Sequence, residues 1–121
     1  MESGKMGLIY ELQELGADIE DGIQRFIGNV SMYERMLRKF PPAFRQVKVL
    51  EPLRADSLEE ALISAHTLKG MTGNLSLTPL FLAYSDIVTL LREGSPQEAG
   101  RILEDILPVQ ERFLSCIEKY L

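Results

Sequence analysis

An all-α fold is what the sequence predicts, on three observations. Apolar residues recur at intervals of three and four along most of the chain, the period of one face of a helix. No stretch sustains the period-two alternation of Val, Ile, Thr and aromatic residues that marks a strand. Capping residues, glycines and prolines divide the chain at short intervals into segments of helical length.

The first segment runs from Met6 to Leu15 and stops at Gly16. Asp18 is placed to cap a second, which carries Ile19, Ile23, Phe26 and Ile27 at helical spacing and closes at Gly28-Asn29. A third opens on a capping box, Ser31 to Glu34, and continues through Tyr33, Met36, Leu37 and Phe40. Pro41-Pro42 ends or kinks it, since proline has no amide hydrogen and restricts the residue before it, and helix resumes through Phe44, Val47 and Leu50. A second capping box, Ser57 to Glu60, starts a fourth segment that reaches about Leu75. Thr78-Pro79 starts a fifth, ending near Gly94, and Ser95-Pro96 a sixth, with a kink expected at Pro108. Its last part presents Phe113, Leu114, Ile117 and Leu121 to the core, with Cys116 as a small core residue. Short loops between amphipathic helices favour antiparallel neighbours, so the expected architecture is an up-and-down antiparallel four-helix bundle with one or two short accessory N-terminal helices. At 121 residues the chain suits a single domain spanning 1–121.

Composition narrows the function. The chain is 45% hydrophobic and 26% charged, without the signature of disorder or an apolar run long enough to span a bilayer. Met1-Glu2-Ser3-Gly4-Lys5 lacks the basic-then-apolar plan of a secretory signal. A single cysteine allows no internal disulfide, so a cytoplasmic location without membrane insertion is expected. Thirteen basic against eighteen acidic residues give a net charge of −5, which argues against a nucleic-acid partner. The basic residues gather in one place: Arg35, Arg38, Lys39, Arg45, Lys48 and Arg54 are opposed there only by Glu51. That cluster reads as a solvated helix face.

The most informative stretch is AHTLKGMTGNLSL, residues 65–77, which holds the one histidine of the chain. At about 100° per residue, Ala61, Leu68, Thr72 and Leu75 fall on one stripe, with Leu58 and Ala65 beside it. His66 points away from that stripe. Lys69, Gly70 and Gly73 follow it at three, four and seven positions and so lie on its side of the helix. Two interior glycines cost about 2 kcal/mol relative to alanine, against a typical total stability of about 5–15 kcal/mol. Because both lie away from the expected core, access to the imidazole is the reading that explains the pair, with a C-cap role for Gly73 accounting for one of them. A neutral imidazole nitrogen is a nucleophile that can carry a covalent intermediate. Phosphoryl transfer asks of such a surface in-line approach and a nearby cation, which Lys69 supplies. Leu62 and Ile63, one turn earlier, serve either as an apolar docking patch or as core.

Ala65-His66-Thr67-Leu68-Lys69-Gly70, followed by Gly73-Asn74-Leu75, resembles the signature of histidine-containing phosphotransfer (HPt) domains of bacterial two-component phosphorelays. Asp18-Ile19-Glu20-Asp21-Gly22-Ile23 and Phe26-Ile27-Gly28-Asn29 through Tyr33 and Leu37 are similar to the helices preceding that motif. The resemblance implies a four-helix bundle in which His66 accepts a phosphoryl group from a receiver-domain aspartyl phosphate and passes it to another receiver's aspartate. It implies Lys69 beside the phosphate and Gly70 clearing room for the partner, with Leu62, Ile63 and Gly73 at the interface. Response-regulator receiver domains and a hybrid sensor histidine kinase are the implied partners of a monomeric carrier. One departure stands out: Ser76 occupies a position where the family usually has glycine.

No Gly-rich phosphate loop or magnesium-spaced acidic cluster is present, so the expected protein is a phosphocarrier without kinase activity of its own. No cofactor is expected on this chain, and Mg²⁺ belongs to the receiver partner. One histidine and one distant cysteine cannot supply the three or four ligands of a transition-metal site. Carboxylate pairs such as Glu59-Glu60 and Glu104-Asp105 read as cap and surface charges. The competing reading is a non-catalytic helical docking module that binds and regulates a receiver or sensor kinase without carrying phosphate.

Overall fold

A computed structural model describes the backbone of residues 2–121 and the side chains of residues 7–121. Seven helices follow one another: α1 (Glu2–Glu14), α2 (Ile19–Gln24), α3 (Val30–Arg45), α4 (Leu50–Arg54), α5 (Leu58–Asn74), α6 (Thr78–Arg92) and α7 (Pro96–Lys119). No strand occurs among the described residues, and none of their helices is long and apolar enough to cross a membrane.

Helix punctuation explains most boundaries. The Asp18 carboxylate accepts from the Asp21 amide and caps α2. The Ser31–Glu34 capping box is not used. Asn29 accepts from the Met32 amide instead and starts α3 two residues earlier, which leaves Glu34 inside the helix and buried. Ser57 does occupy the cap position of α5, but through its backbone carbonyl, which accepts from the Ala61 amide, and not through its hydroxyl. Thr78 is the first residue of α6 and Leu77 its cap. Pro41 and Pro42 do not end α3, which runs one further turn to Arg45. Of the apolar positions expected in a resumed helix, Phe44 belongs to α3, Val47 lies in the connection after it, and Leu50 opens α4, a separate short helix.

Helix ends share one device. After α1, α4, α5 and α6 the amide of the third residue past the helix, and after α2 that of the fourth, reaches back five positions: Ala17 to Leu12, Ser57 to Pro52, Leu77 to Thr72, Ser95 to Leu90 and Gly28 to Ile23. This reverse turn needs one residue in the left-handed region. Gly16 and Gly94 supply it at two ends (φ 107° and 77°), whereas Ile27, Asp56 and Ser76 adopt it at φ 56°, 59° and 55°. The last three each bear a cost of roughly 1–2 kcal/mol for a side chain in that conformation. Ile27 is 94% exposed, not on the buried stripe that its helical spacing predicted, because α2 has already ended.

α5 packs on α6 and α6 on α7, each pair joined by a three-residue connection that makes the two helices antiparallel. α3 packs against both α7 and α5. Tyr33, Leu37, Phe40, Leu68, Leu80, Tyr84, Leu103 and Phe113 are buried between them. The ring of Phe44 meets that of Tyr84 edge-on at 6.2 Å, so α3 also faces α6 across the core. Cys116 is buried, as its small apolar character suggested. Leu121, expected in the core, is 64% exposed, because α7 ends two residues before it.

Polar contacts hold the periphery. Arg45, at the end of α3, donates to Glu111 and Glu118 of α7, each at 2.8 Å in its closest contact. Glu11 of α1 accepts from Lys119 at 2.6 Å and from the Tyr120 hydroxyl. Lys119 first and Tyr120 second hold the Glu11 carboxyl below its ordinary range. Arg45 does the same for Glu111 and Glu118.

A carboxyl whose folded-state pKa is depressed adds stability above its unfolded pKa and loses it as pH falls through the folded value. The melting temperature is therefore expected to stay level from about pH 8 to about pH 5 and to fall below about pH 4. Arg45→Met should lower the plateau slightly and shrink the acid-induced fall. Thermal circular dichroism across that range checks both.

Candidate functional site

α5 sorts its residues by face. Ala61, Ala65, Leu68 and Thr72 are buried, and Leu75 is 5% exposed, so the predicted core stripe is the observed one. The Thr72 hydroxyl inside it donates to the Leu68 carbonyl at 2.8 Å, which satisfies it without a partner from another helix. His66 is exposed, and Ile63, Thr67, Gly70 and Asn74 are exposed on the same side. Among the described residues the His66 imidazole has no hydrogen bond, ion pair or ring contact. Lys69 lies one turn along, half-buried, and its ammonium is likewise unpaired. A nucleophilic ring open to solvent and a free cation thus share one helical surface.

The two glycines divide. A Cβ built on Gly70 would meet nothing within 4 Å, so the helix is bare beside the imidazole. A Cβ on Gly73 would stand 2.9 Å from the Phe81 ring. Gly73 is therefore the place where α6 comes close to α5, which corrects the expectation that both glycines clear a path to the histidine. Its cost in helix propensity is offset by packing, and only Gly70 is left to be explained by access. Leu62 and Ile63 part in the same way. Leu62 packs against the core, whereas Ile63 is 61% exposed.

The end of α5 is the best-anchored part of the helix. Ser76 holds its left-handed conformation while its hydroxyl donates to the Asp21 carboxylate at 2.5 Å and its carbonyl accepts from the Asp18 amide at 2.9 Å. The Tyr33 hydroxyl donates to the Leu75 carbonyl at 2.9 Å, and burial pushes the phenol pKa up. Asp21 also accepts from Arg25 at 2.9 Å. Ser76 first and Arg25 second hold the Asp21 carboxyl below its usual range. α2 and α3 thereby fix the last turn of the histidine helix. Sequence reasoning missed Tyr33, Asp21 and Phe81 as its supports, and the one signal for them was serine in place of the expected glycine at position 76.

Compared with models of protein families, with curated proteins and with solved structures, the chain matches none of them.

Two sets of substitutions follow from this geometry. Gly70→Ala should gain about 1 kcal/mol from helix propensity, while Gly73→Ala should show no gain or a net loss because the Phe81 ring must shift. Ser76→Ala should lose about 1–2 kcal/mol with the hydroxyl bond to Asp21. Ser76→Gly should lose less, since glycine relieves the left-handed strain. Urea denaturation of the four variants checks the order.

Proposed function

We propose that the chain is a histidine phosphocarrier of the phosphorelay type. The observation that carries this reading is the open surface of α5, where an unpaired imidazole at His66, an unpaired ammonium at Lys69 and empty space over Gly70 occur within about one turn. The helix pattern agrees with it. α3, α5, α6 and α7 are read as the four helices of an up-and-down bundle, each packing on two neighbours, with α1, α2 and α4 as accessory helices.

In the proposed step a ring nitrogen of His66 uses its lone pair to attack the phosphorus of an aspartyl phosphate on a receiver domain. The N–P bond forms as the P–O bond to the aspartate breaks, and the electron pair leaves with the carboxylate. The phosphoramidate on His66 then meets a second receiver, whose aspartate attacks in the reverse sense. The Lys69 ammonium balances charge on the phosphoryl oxygens, a contribution that is electrostatic and positional. Gly70 leaves room for the receiver's active-site loops, and Ile63 offers exposed apolar surface to the partner. The Mg²⁺ of the reaction is assigned to the receiver. The chain carries the group and starts no phosphorylation itself.

The test is transfer of radiolabelled phosphate from a loaded receiver. Label is expected on the wild-type chain, labile in acid and stable in alkali as phosphohistidine is, and absent from His66→Gln. Lys69→Ala should slow transfer about tenfold or more while the chain stays folded. Receivers that bind without passing label to His66 would overturn the carrier reading in favour of a docking module.

A further inference from the structure

Beside the histidine face, α3, α5 and the turn after α2 border an open pocket of about 510 Å³, within the usual range for small-molecule sites. Its floor is apolar and deformable: Phe26, Met36, Phe40 and Met71 line it, and methionine fills irregular space well. Its rim is cationic. Lys39 and Arg25 stand there with the Asn74 amide, and no carboxylate lines the cavity. Arg25 is shared with Asp21, whereas the Lys39 ammonium has no partner among the described residues.

We propose that this pocket binds a free single-chain amphiphilic carboxylate of the fatty-acid class. The apolar floor takes the chain, and the ammonium of Lys39 with the Asn74 amide receives the carboxylate. A nucleotide or sugar phosphate would need more donors than this rim offers, and the floor would leave its polar atoms unpaired. From Met36 to Ala43 the cavity runs about 10 Å along α3, a length that suits an acyl segment. Charge decides the head group: the lining holds no carboxylate, and the Lys39 ammonium at its rim has no partner among the described residues, so even on a chain with a net charge of −5 the cavity selects an anion. The proposal stands independently of any phosphate on His66.

The experiment uses the full chain with ¹³C-labelled methionine methyls, titrated with dodecanoate below its micelle concentration. Saturable one-to-one shifts of Met36 and Met71 are expected, with Met32, on α3 but outside the lining, unmoved. Lys39→Glu, at an exposed position, should weaken binding about tenfold. Ala43→Trp, also exposed, should block it, and circular dichroism verifies that both variants fold. Titration with phosphatidylglycerol vesicles separates a free ligand from a membrane surface. Absent or non-saturable shifts, equal shifts at Met32, unchanged affinity in Lys39→Glu, or a response to vesicles alone would each overturn the proposal.

Discussion

The reversal after Asn74, where the histidine helix ends, is the constraint on which the candidate site depends. A helix is a rigid presenter of side chains only if its axis and rotation are fixed, and an exposed face cannot fix them. Here the buried side does so through Ala61, Ala65, Leu68 and Thr72, and the last turn does so through polar bonds from two other helices. Tyr33 holds the Leu75 carbonyl, Asp18 holds that of Ser76, and the Ser76 hydroxyl is held by Asp21. A side chain at φ 55° is unfavourable in itself. It persists because these bonds over-determine it. The strain is thus part of how α2 and α3 register the rotation of α5, and with it the direction in which His66 points.

Small residues on α5 serve two opposed ends. Gly73 lets α6 come close, with the Phe81 ring where a side chain would be. Gly70 has nothing near it. Packing explains the first and leaves the second as a helix-propensity cost of about 1 kcal/mol without any gain in stability. Such an unrecovered cost, set beside an unpaired imidazole and an unpaired ammonium, is what makes the exposed face a candidate for function.

Local chemistry was legible in the sequence, and tertiary relations were not. Helices and their order could be read because caps, glycines and prolines act within a few residues of themselves, and the buried stripe of α5 followed from its period alone. Asn29 closes one helix in the sequence reading but opens the next, since cap preference does not tell which of two nearby polar residues, Asn29 or Ser31, reaches a free amide. Pro41-Pro42 suggested a break that the packing of Phe40, Pro41 and Phe44 overrode. Ile27 fits a helical period but lies in a reversal that no glycine at its own position announces. The role of Gly73 could not be read at all, because Phe81 reaches it only through the α5–α6 pairing. The site was legible as a pattern of residue types, whereas its supports at Tyr33 and Asp21 lie far away in sequence.

The claim that Gly70 exists for the approach of something large is tested most directly by comparing two phosphate donors on one variant. Gly70→Leu places a good helix former in open space and should leave the chain folded. Phosphorylation of His66 by the small donor phosphoramidate should then proceed as in the wild type, while transfer from a loaded receiver should fall sharply. Equal transfer from both donors would show that the space over Gly70 serves no partner, and the account of this face would be wrong.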